Sequence, residues 1–289
     1  MSSIGLTFQR IQEANDGALI GYVTGGDPEP RYTPPLVEAL IKGGVDIVEL
    51  GIPFSDPIAD GPTIQAASVR ALTAGVTPKM VLGMADKIKE KYNVPVAIMT
   101  YYNPVFRMGV ANFFKQAESC RVDGLIVPDL PIEEASEYVR AAKSCGIDTI
   151  FLAAPSTTRQ RLCKIMDHSS GFLYLVSHFG VTGEKPNMDK STRGMVERFR
   201  RYTNRRIPLA VGFGVSKPEH ARCLIEAGAE GVIVGSAFVN IVQRNRGDIP
   251  RMLDEIEETA RKLKAAIRAA SHSFARNRLK NSTTRTVDP

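Results

Sequence analysis

Between Val48 and Pro62 the chain reads Val-Glu-Leu-Gly-Ile-Pro-Phe-Ser-Asp-Pro-Ile-Ala-Asp-Gly-Pro. Glu49 stands inside an apolar run, where a carboxylate is costly unless it is satisfied or used. Asp56 and Asp60 follow on a loop stiffened by Pro53, Pro57 and Pro62. Two carboxylates in different surroundings can divide acid and base duties, the more buried one having its pKa raised by desolvation. Glu49 and Asp60 are therefore the candidate acid–base pair. Asp56 reads equally well as a turn-capping residue.

A second constellation is rich in glycine. Gly212-Phe213-Gly214-Val215-Ser216 and Gly235-Ser236 each follow an apolar run, and a helix is expected to start at Ser236. Gly-rich turns at a helix N-terminus offer backbone N–H groups and a positive dipole end to a phosphate. Gly180-Val181-Thr182-Gly183 can add a third side, and Thr182 to Met188 is long and polar enough to act as a lid. Tyr22, Ile64, Tyr101 and Phe213 sit at strand ends or in the loops after them, and Tyr174 lies within a strand, together suiting an apolar pocket or plain core. His168 and His178 have no neighbouring metal-type ligand, and no metal, flavin or PLP motif stands out.

These groups must be carried by a scaffold that repeats. Leu19–Thr24, Asp46–Leu50, Val94–Tyr101, Gly124–Val127, Thr149–Ala153, Phe172–Ser177, Ile207–Val211 and Gly231–Val234 read as short apolar strands. Helical patterns fall between them, at Pro35–Lys42, Thr63–Ala74, Pro78–Tyr92, Ala111–Cys120, Ile132–Cys145, Arg159–Asp167, Ser191–Tyr202, Pro218–Ala227 and Ala237–Arg244. A weak internal repeat supports the alternation: Gly44-Val45-Asp46, Val122-Asp123-Gly124, Gly146-Ile147-Asp148 and Gly228-Ala229-Glu230 each place a small stop and an acid before a strand. Eight strand–helix units are the signature of a (β/α)8 TIM barrel, an α/β fold whose active site lies at the C-terminal strand ends. An extra N-terminal helix is expected from Ile4, Phe8 and Ile11, and a long C-terminal helix over Ile249–Ala270. A doubly wound sheet would want a Gly-rich fingerprint after its first strand, which Gly25-Gly26-Asp27-Pro28 does not match. If Ile47 points into the barrel, Glu49 does too.

The net charge of +6 is unevenly spread over the 289 residues. Residues 261–289 carry eight Lys and Arg against Asp288 alone, leaving the rest of the chain near neutral and removing the main support for nucleic-acid binding. The expected layout is one catalytic domain over residues 1–270 and a basic, disordered tail over 271–289. Cys120, Cys145, Cys163 and Cys223 are scattered without a CxxC, as in a reducing compartment. Met1–Gln12 shows no signal peptide and no window approaches the roughly 18 apolar residues of a membrane span, so a cytoplasmic protein is expected.

Gly21–Pro28, Val48–Gln65, Gly124–Pro131, Gly180–Gly183, Gly212–Ser216 and Val234–Ala237 together resemble the tryptophan synthase alpha subunit family over about residues 4–268. The resemblance implies a carbon–carbon lyase of tryptophan biosynthesis that cleaves indole-3-glycerol phosphate to indole and glyceraldehyde 3-phosphate by a retro-aldol reaction. It implies Glu49 as proton shuttle, Asp60 at the indole N–H, and Tyr174 assisting. Gly183, Gly214, Gly235 and Ser236 would hold phosphate; Tyr22, Ile64, Met99, Tyr101, Ile126, Thr182 and Phe213 would line the indole and glycerol pocket. It further implies no cofactor in this chain, and a PLP-carrying beta subunit in an alpha2-beta2 tetramer, facing Pro53–Asp56 and Tyr101–Pro104. Tyr22 stands where Phe is usual, and His178-Phe179 is unusual before Gly180. Other phosphate-binding barrels, a sugar-phosphate isomerase or a flavin-dependent oxidoreductase, would use the same glycines.

Overall fold

A computed structural model describes residues 2–176, 190–204, 206–212 and 214–283. Helix α1 (Ser3–Glu13) is capped by Ser2, whose hydroxyl accepts from the Gly5 N–H at 3.1 Å. Strand β1 (Ala18–Thr24), helix α2 (Thr33–Lys42) and strand β2 (Ile47–Gly51) follow. Two helices come next, α3 (Pro62–Thr73) and α4 (Pro78–Lys91), the latter opened by Pro78 and by Thr77, which accepts from the Met80 N–H. Proline at a first helical position and a Thr cap are the start signals expected there.

The alternation continues through β3 (Val96–Met99), α5 (Tyr102–Met108), α6 (Val110–Ser119), β4 (Gly124–Ile126) and α7 (Ser136–Ser144). It is completed by β5 (Asp148–Ile150), β6 (Leu152–Ala153), α8 (Arg159–His168), β7 (Leu173–Val176) and α9 (Lys190–Thr203). Then come β8 (Leu209–Gly212), α10 (Pro218–Glu226), β9 (Gly231–Val234), α11 (Ser236–Arg244) and α12 (Ile249–Thr283).

All strand pairings among the described residues are parallel, in the order β5-β4-β3-β2-β1-β9-β8-β7-β6. The two ends of that order, β5 and β6, flank Phe151, so they are halves of one interrupted strand and the ring is a (β/α)8 barrel. Thr149–Ala153, expected as one strand, is thus split: Phe151 turns into the helical layer while its carbonyl still accepts from the Tyr174 N–H at 3.1 Å.

Two apolar layers hold the ring. The interior stacks Ile20, Ile47, Ala97, Ile126, Ile150, Phe172, Ala210 and Ile233, and α1 closes its floor with Ile4, Phe8 and Ile11. Phe8 packs on Phe172 with ring centroids 5.7 Å apart. The outer layer lies between strands and helices, where Met252, Ile256, Ala260, Leu263 and Ile267 of α12 are buried. Lys264 of α12, itself almost fully buried, reaches Asp46 Oδ2 at 2.8 Å, Asp16 Oδ2 at 3.1 Å and the Gly17 carbonyl at 2.8 Å.

Three of the four acidic positions of the sequence repeat, Asp46, Asp123 and Glu230, have a common use. Asp46 accepts the Leu19 N–H at 2.8 Å, Asp123 the Val96 N–H at 2.7 Å, and Glu230 the Leu209 N–H at 2.9 Å. Each of these three acids, at the foot of one strand, satisfies a backbone donor at or next to the start of the strand before it, which would otherwise be orphaned.

Three further features depart from the sequence expectations. Tyr102–Met108 is a helix where none was expected, and Ile132–Glu134 is a separate 3-10 turn ahead of α7. The last helix runs on to Thr283, past the expected end at Ala270. No Gly or Pro interrupts residues 271–283, so no helix breaker stands in that stretch. Thr182, Gly183, Phe213, the Thr182–Met188 segment, His178-Phe179 and residues 284–289 lie outside the described residues. Among the described residues no helix is long and apolar enough to cross a membrane, and no cluster of His, Cys, Asp and Glu could hold a metal.

Candidate active site

Strand parity carries Glu49 into the barrel with Ile47, and the register sets it between Tyr22 of β1 and Ala97 of β3. Its side chain is 0% exposed, and neither carboxylate oxygen has a hydrogen-bond partner among the described residues. A buried carboxylate with no donor favours its neutral form. Burial first and the charge of Asp60 second push Glu49 up to about 8.

Asp60 sits on the loop between β2 and α3, whose turn is closed by the Asp60 N–H on the Pro57 carbonyl at 3.0 Å. Its Oδ2 accepts from the Tyr101 hydroxyl at 3.0 Å, and the same phenol oxygen accepts the Ala59 N–H at 3.0 Å. Tyr101 is itself held by stacking on Phe54, centroids 5.1 Å apart. Burial raises Asp60 to about 6, opposed by the Tyr101 hydrogen bond. The two acids therefore titrate apart, with the deeper one protonated and the loop-borne one ionised near neutral pH. Asp56 is exposed on the loop, away from this pair.

Tyr174 projects inward from β7, one layer above Phe172. Its hydroxyl is raised well above the ordinary value by burial and then by Glu49, Asp60 and Tyr22, so the four groups share one electrostatic neighbourhood. A Cβ on Gly212 would lie 2.9 Å from the Tyr174 Oη; the phenol occupies space that only glycine leaves free. Tyr22 is accommodated in the same way, since a Cβ on Gly51 would come within 2.3 Å of its Oη.

Tyr22, Ile64, Ala67 and Val239 form an apolar cluster against which Met99 packs, bringing together β1, α3, α11 and β3 at the mouth. Ile126, also expected in the pocket, is 1% exposed in the packed interior layer beneath it, touching the site through Met99 and Tyr174. Gly235 precedes α11, and Ser236 is its first residue, so their N–H groups stand at an open helix N-terminus. Gly214 holds φ +58, the left-handed region that favours glycine. These are the elements of an anion cradle after the last two strands.

Two groups were missed by sequence reasoning. The Thr24 hydroxyl bonds the Tyr22 hydroxyl at 3.1 Å in a buried pair. The Ser216 Oγ is buried with no partner among the described residues, beside the Gly214 turn. Only three-dimensional proximity picks them out, although both lie within motifs already singled out. On the outer rim, a groove of about 570 Å³ brings Pro53, Phe54 and Ser55 together with Asn103, Pro104 and Arg107.

The sequence model described as Tryptophan synthase alpha chain matches residues 8–268. The chain belongs to this family. A tryptophan synthase alpha chain of Solibacter usitatus is 46% identical over 266 residues, covering 91% of this chain and 97% of the relative. That of Methanothermobacter thermautotrophicus is 42% identical over 258 residues, covering 89% and 95%. Among solved structures, the tryptophan synthase alpha chain of Legionella pneumophila superposes with TM-score 0.85 at 34% identity, covering 92% of this chain and 97% of that one. The tryptophan synthase complex of Pyrococcus furiosus contains a chain matching at TM-score 0.78 and 41% identity, covering 86% and 98%. The family match stops at Arg268, so the rest of α12 is an extension beyond it.

Proposed function

We propose that this chain is the alpha-reaction lyase of tryptophan biosynthesis, cleaving indole-3-glycerol phosphate to indole and glyceraldehyde 3-phosphate. The observation that carries the proposal is the buried, unpartnered Glu49 carboxyl held near 8 beside an Asp60 held near 6. Retro-aldol cleavage needs one proton delivered to C3 of the indole ring and one removed from the adjoining hydroxyl. A single carboxyl does both, provided it starts neutral.

Glu49, protonated, gives its proton to C3, and the ring nitrogen takes up positive charge. Asp60, ionised and oriented by Tyr101, stabilises that N–H as the charge develops. The Glu49 carboxylate then takes the proton of the glycerol hydroxyl. The C3–carbon bond breaks, its electron pair restores the indole ring, and the aldehyde forms. Glu49 ends as it began. Tyr174 assists beside Glu49. Gly214, Gly235 and Ser236 hold the phosphate, with Gly183 from the Gly180–Gly183 segment. Tyr22, Ile64, Met99, Tyr101 and Ile126, with Thr182 and Phe213, wall the indole and glycerol parts.

The rim groove between Pro53–Ser55 and Asn103–Arg107 is the face for a beta subunit in an alpha2-beta2 assembly, to which indole passes. Ile58, 82% exposed, and Phe106, 66% exposed, are apolar side chains that a partner there would cover. PLP belongs to that partner, this chain's chemistry needs no cofactor of its own, and the protein is cytoplasmic.

The test is indole release from indole-3-glycerol phosphate by the purified chain, alone and with a beta subunit. Release that rises on adding the beta subunit is expected. A chain that releases no indole under either condition, or a purified protein with a flavin absorption band, overturns the proposal.

A further inference from the structure

The Tyr22 ring spans the mouth from the end of β9 to the end of β2. Its Cδ1 lies 3.3 Å from where a Cβ on Gly235 would stand, and its Oη 2.3 Å from where one on Gly51 would. Its neighbours Ile64, Ala67, Val239 and Met99 are apolar, so the hydroxyl has no use for them. A phenol O–H in such a setting needs a partner, because an unsatisfied buried hydroxyl carries its full desolvation cost. Thr24, two residues along β1 and on the same face, supplies it at 3.1 Å. Thr24 is 2% exposed, and its hydroxyl is bonded to nothing else among the described residues that is on a side chain.

We propose that Thr24 is a positioning residue for indole binding, acting only through Tyr22: its hydroxyl pins the phenol over Gly51 and satisfies it there, so that the ring serves the substrate as an apolar wall. This rests on the reading of the mouth as an indole site. With Thr24 replaced by Val, the shape and strand preference at position 24 are kept, but the Tyr22 hydroxyl is left unpaired against the incoming ring. With the Tyr22 hydroxyl also removed, nothing remains for Thr24 to satisfy.

The chain contains no tryptophan, so the fluorescence of added indole, excited beyond the tyrosine band, reports binding without a protein indole signal. Indole is titrated with the wild-type chain, T24V, T24S, Y22F and the Y22F/T24V double variant. T24V is expected to weaken indole about tenfold or more, and T24S, which keeps the hydroxyl, to bind as the wild type does. In the Y22F background, T24V is expected to change the affinity by less than about twofold. A T24V loss of equal size in both backgrounds would show plain packing and overturn the proposal, as would T24V binding unchanged from wild type. If T24V does not fold, T24A in the same two backgrounds carries the same comparison. A wild-type chain that binds no indole refutes the proposed function together with this inference; a wild-type chain that binds and turns over, with no rescue by Y22F, refutes the inference alone.

Discussion

Replacing Glu49 by Gln should make the protein more stable the higher the pH. The Glu49 carboxyl holds its proton up to about 8 in the fold, against 4.5 for the ordinary side chain. Below that lower value, both folded and unfolded chains keep the proton and the group contributes nothing to the pH dependence. Between the two values only the unfolded chain releases it. The native state then binds more protons than the unfolded one, and stability falls by about 1.4 kcal/mol for each pH unit gained. Above about 8 both states are ionised and the loss levels off near 5 kcal/mol. Gln is neutral throughout and escapes this loss. Urea unfolding followed by far-UV circular dichroism should show the E49Q advantage growing from under about 1 kcal/mol at pH 5 to about 5 kcal/mol at pH 8.5. The same variant should release no indole, having no proton to give. An advantage that stays flat across this range, or shrinks as pH rises, would refute the idea of a desolvated and unpartnered carboxyl.

The same two acids set the activity profile: kcat/KM should rise through about pH 6 as Asp60 ionises and fall through about pH 8 as Glu49 loses its proton. Tyr101→Phe removes the hydrogen bond that lowers Asp60, so the rising limb should move to higher pH, which a pH–rate series would read directly. Gly51→Ala drives a Cβ to 2.3 Å from the Tyr22 hydroxyl, and kcat/KM should fall about tenfold to a hundredfold with circular dichroism unchanged. Arg70 of α3 forms a two-pronged ion pair with Asp27 at 2.7 and 2.8 Å, and Asp27 is 2% exposed. Arg70→Met leaves that carboxylate buried alone and should cost about 3 kcal/mol in urea unfolding; a cost below about 0.5 kcal/mol would mean that water reaches Asp27.

Much of the barrel was legible because each strand–helix unit repeats the same local signals. Gly44, Gly146 and Gly228 mark where helices stop, and β-forming residues follow at once. Glu49 was legible for a different reason: strand alternation ties its direction to Ile47, and a carboxylate facing a packed interior is conspicuous by its cost. What escaped depends on partners distant in sequence. An acid before four of the strands was visible, but not that Asp46 closes on Leu19 or Asp123 on Val96, since those bonds exist only once neighbouring strands align. Tyr102–Met108 was given no element in the sequence, and its helix carries Pro104 in the first turn, where proline costs little. The break at Phe151 has no local cue. Ile150 and Leu152 face the interior and Phe151 the outer layer, the alternation an unbroken strand would also show.

The helix that closes the barrel floor is made before the floor exists. Ile4, Phe8 and Ile11 leave the ribosome well before Phe172, against which Phe8 rests. At translation speeds of about 5–20 residues per second, roughly ten to thirty seconds separate the two. For that interval the apolar face of α1 has no interior to enter, whatever the eventual stability of the fold. A growing chain must shelter this stretch, on itself or on a chaperone, and give it up when β7 arrives. Helix α1 thus works as a latch thrown late in synthesis, and its docking signals that most of the ring has been assembled.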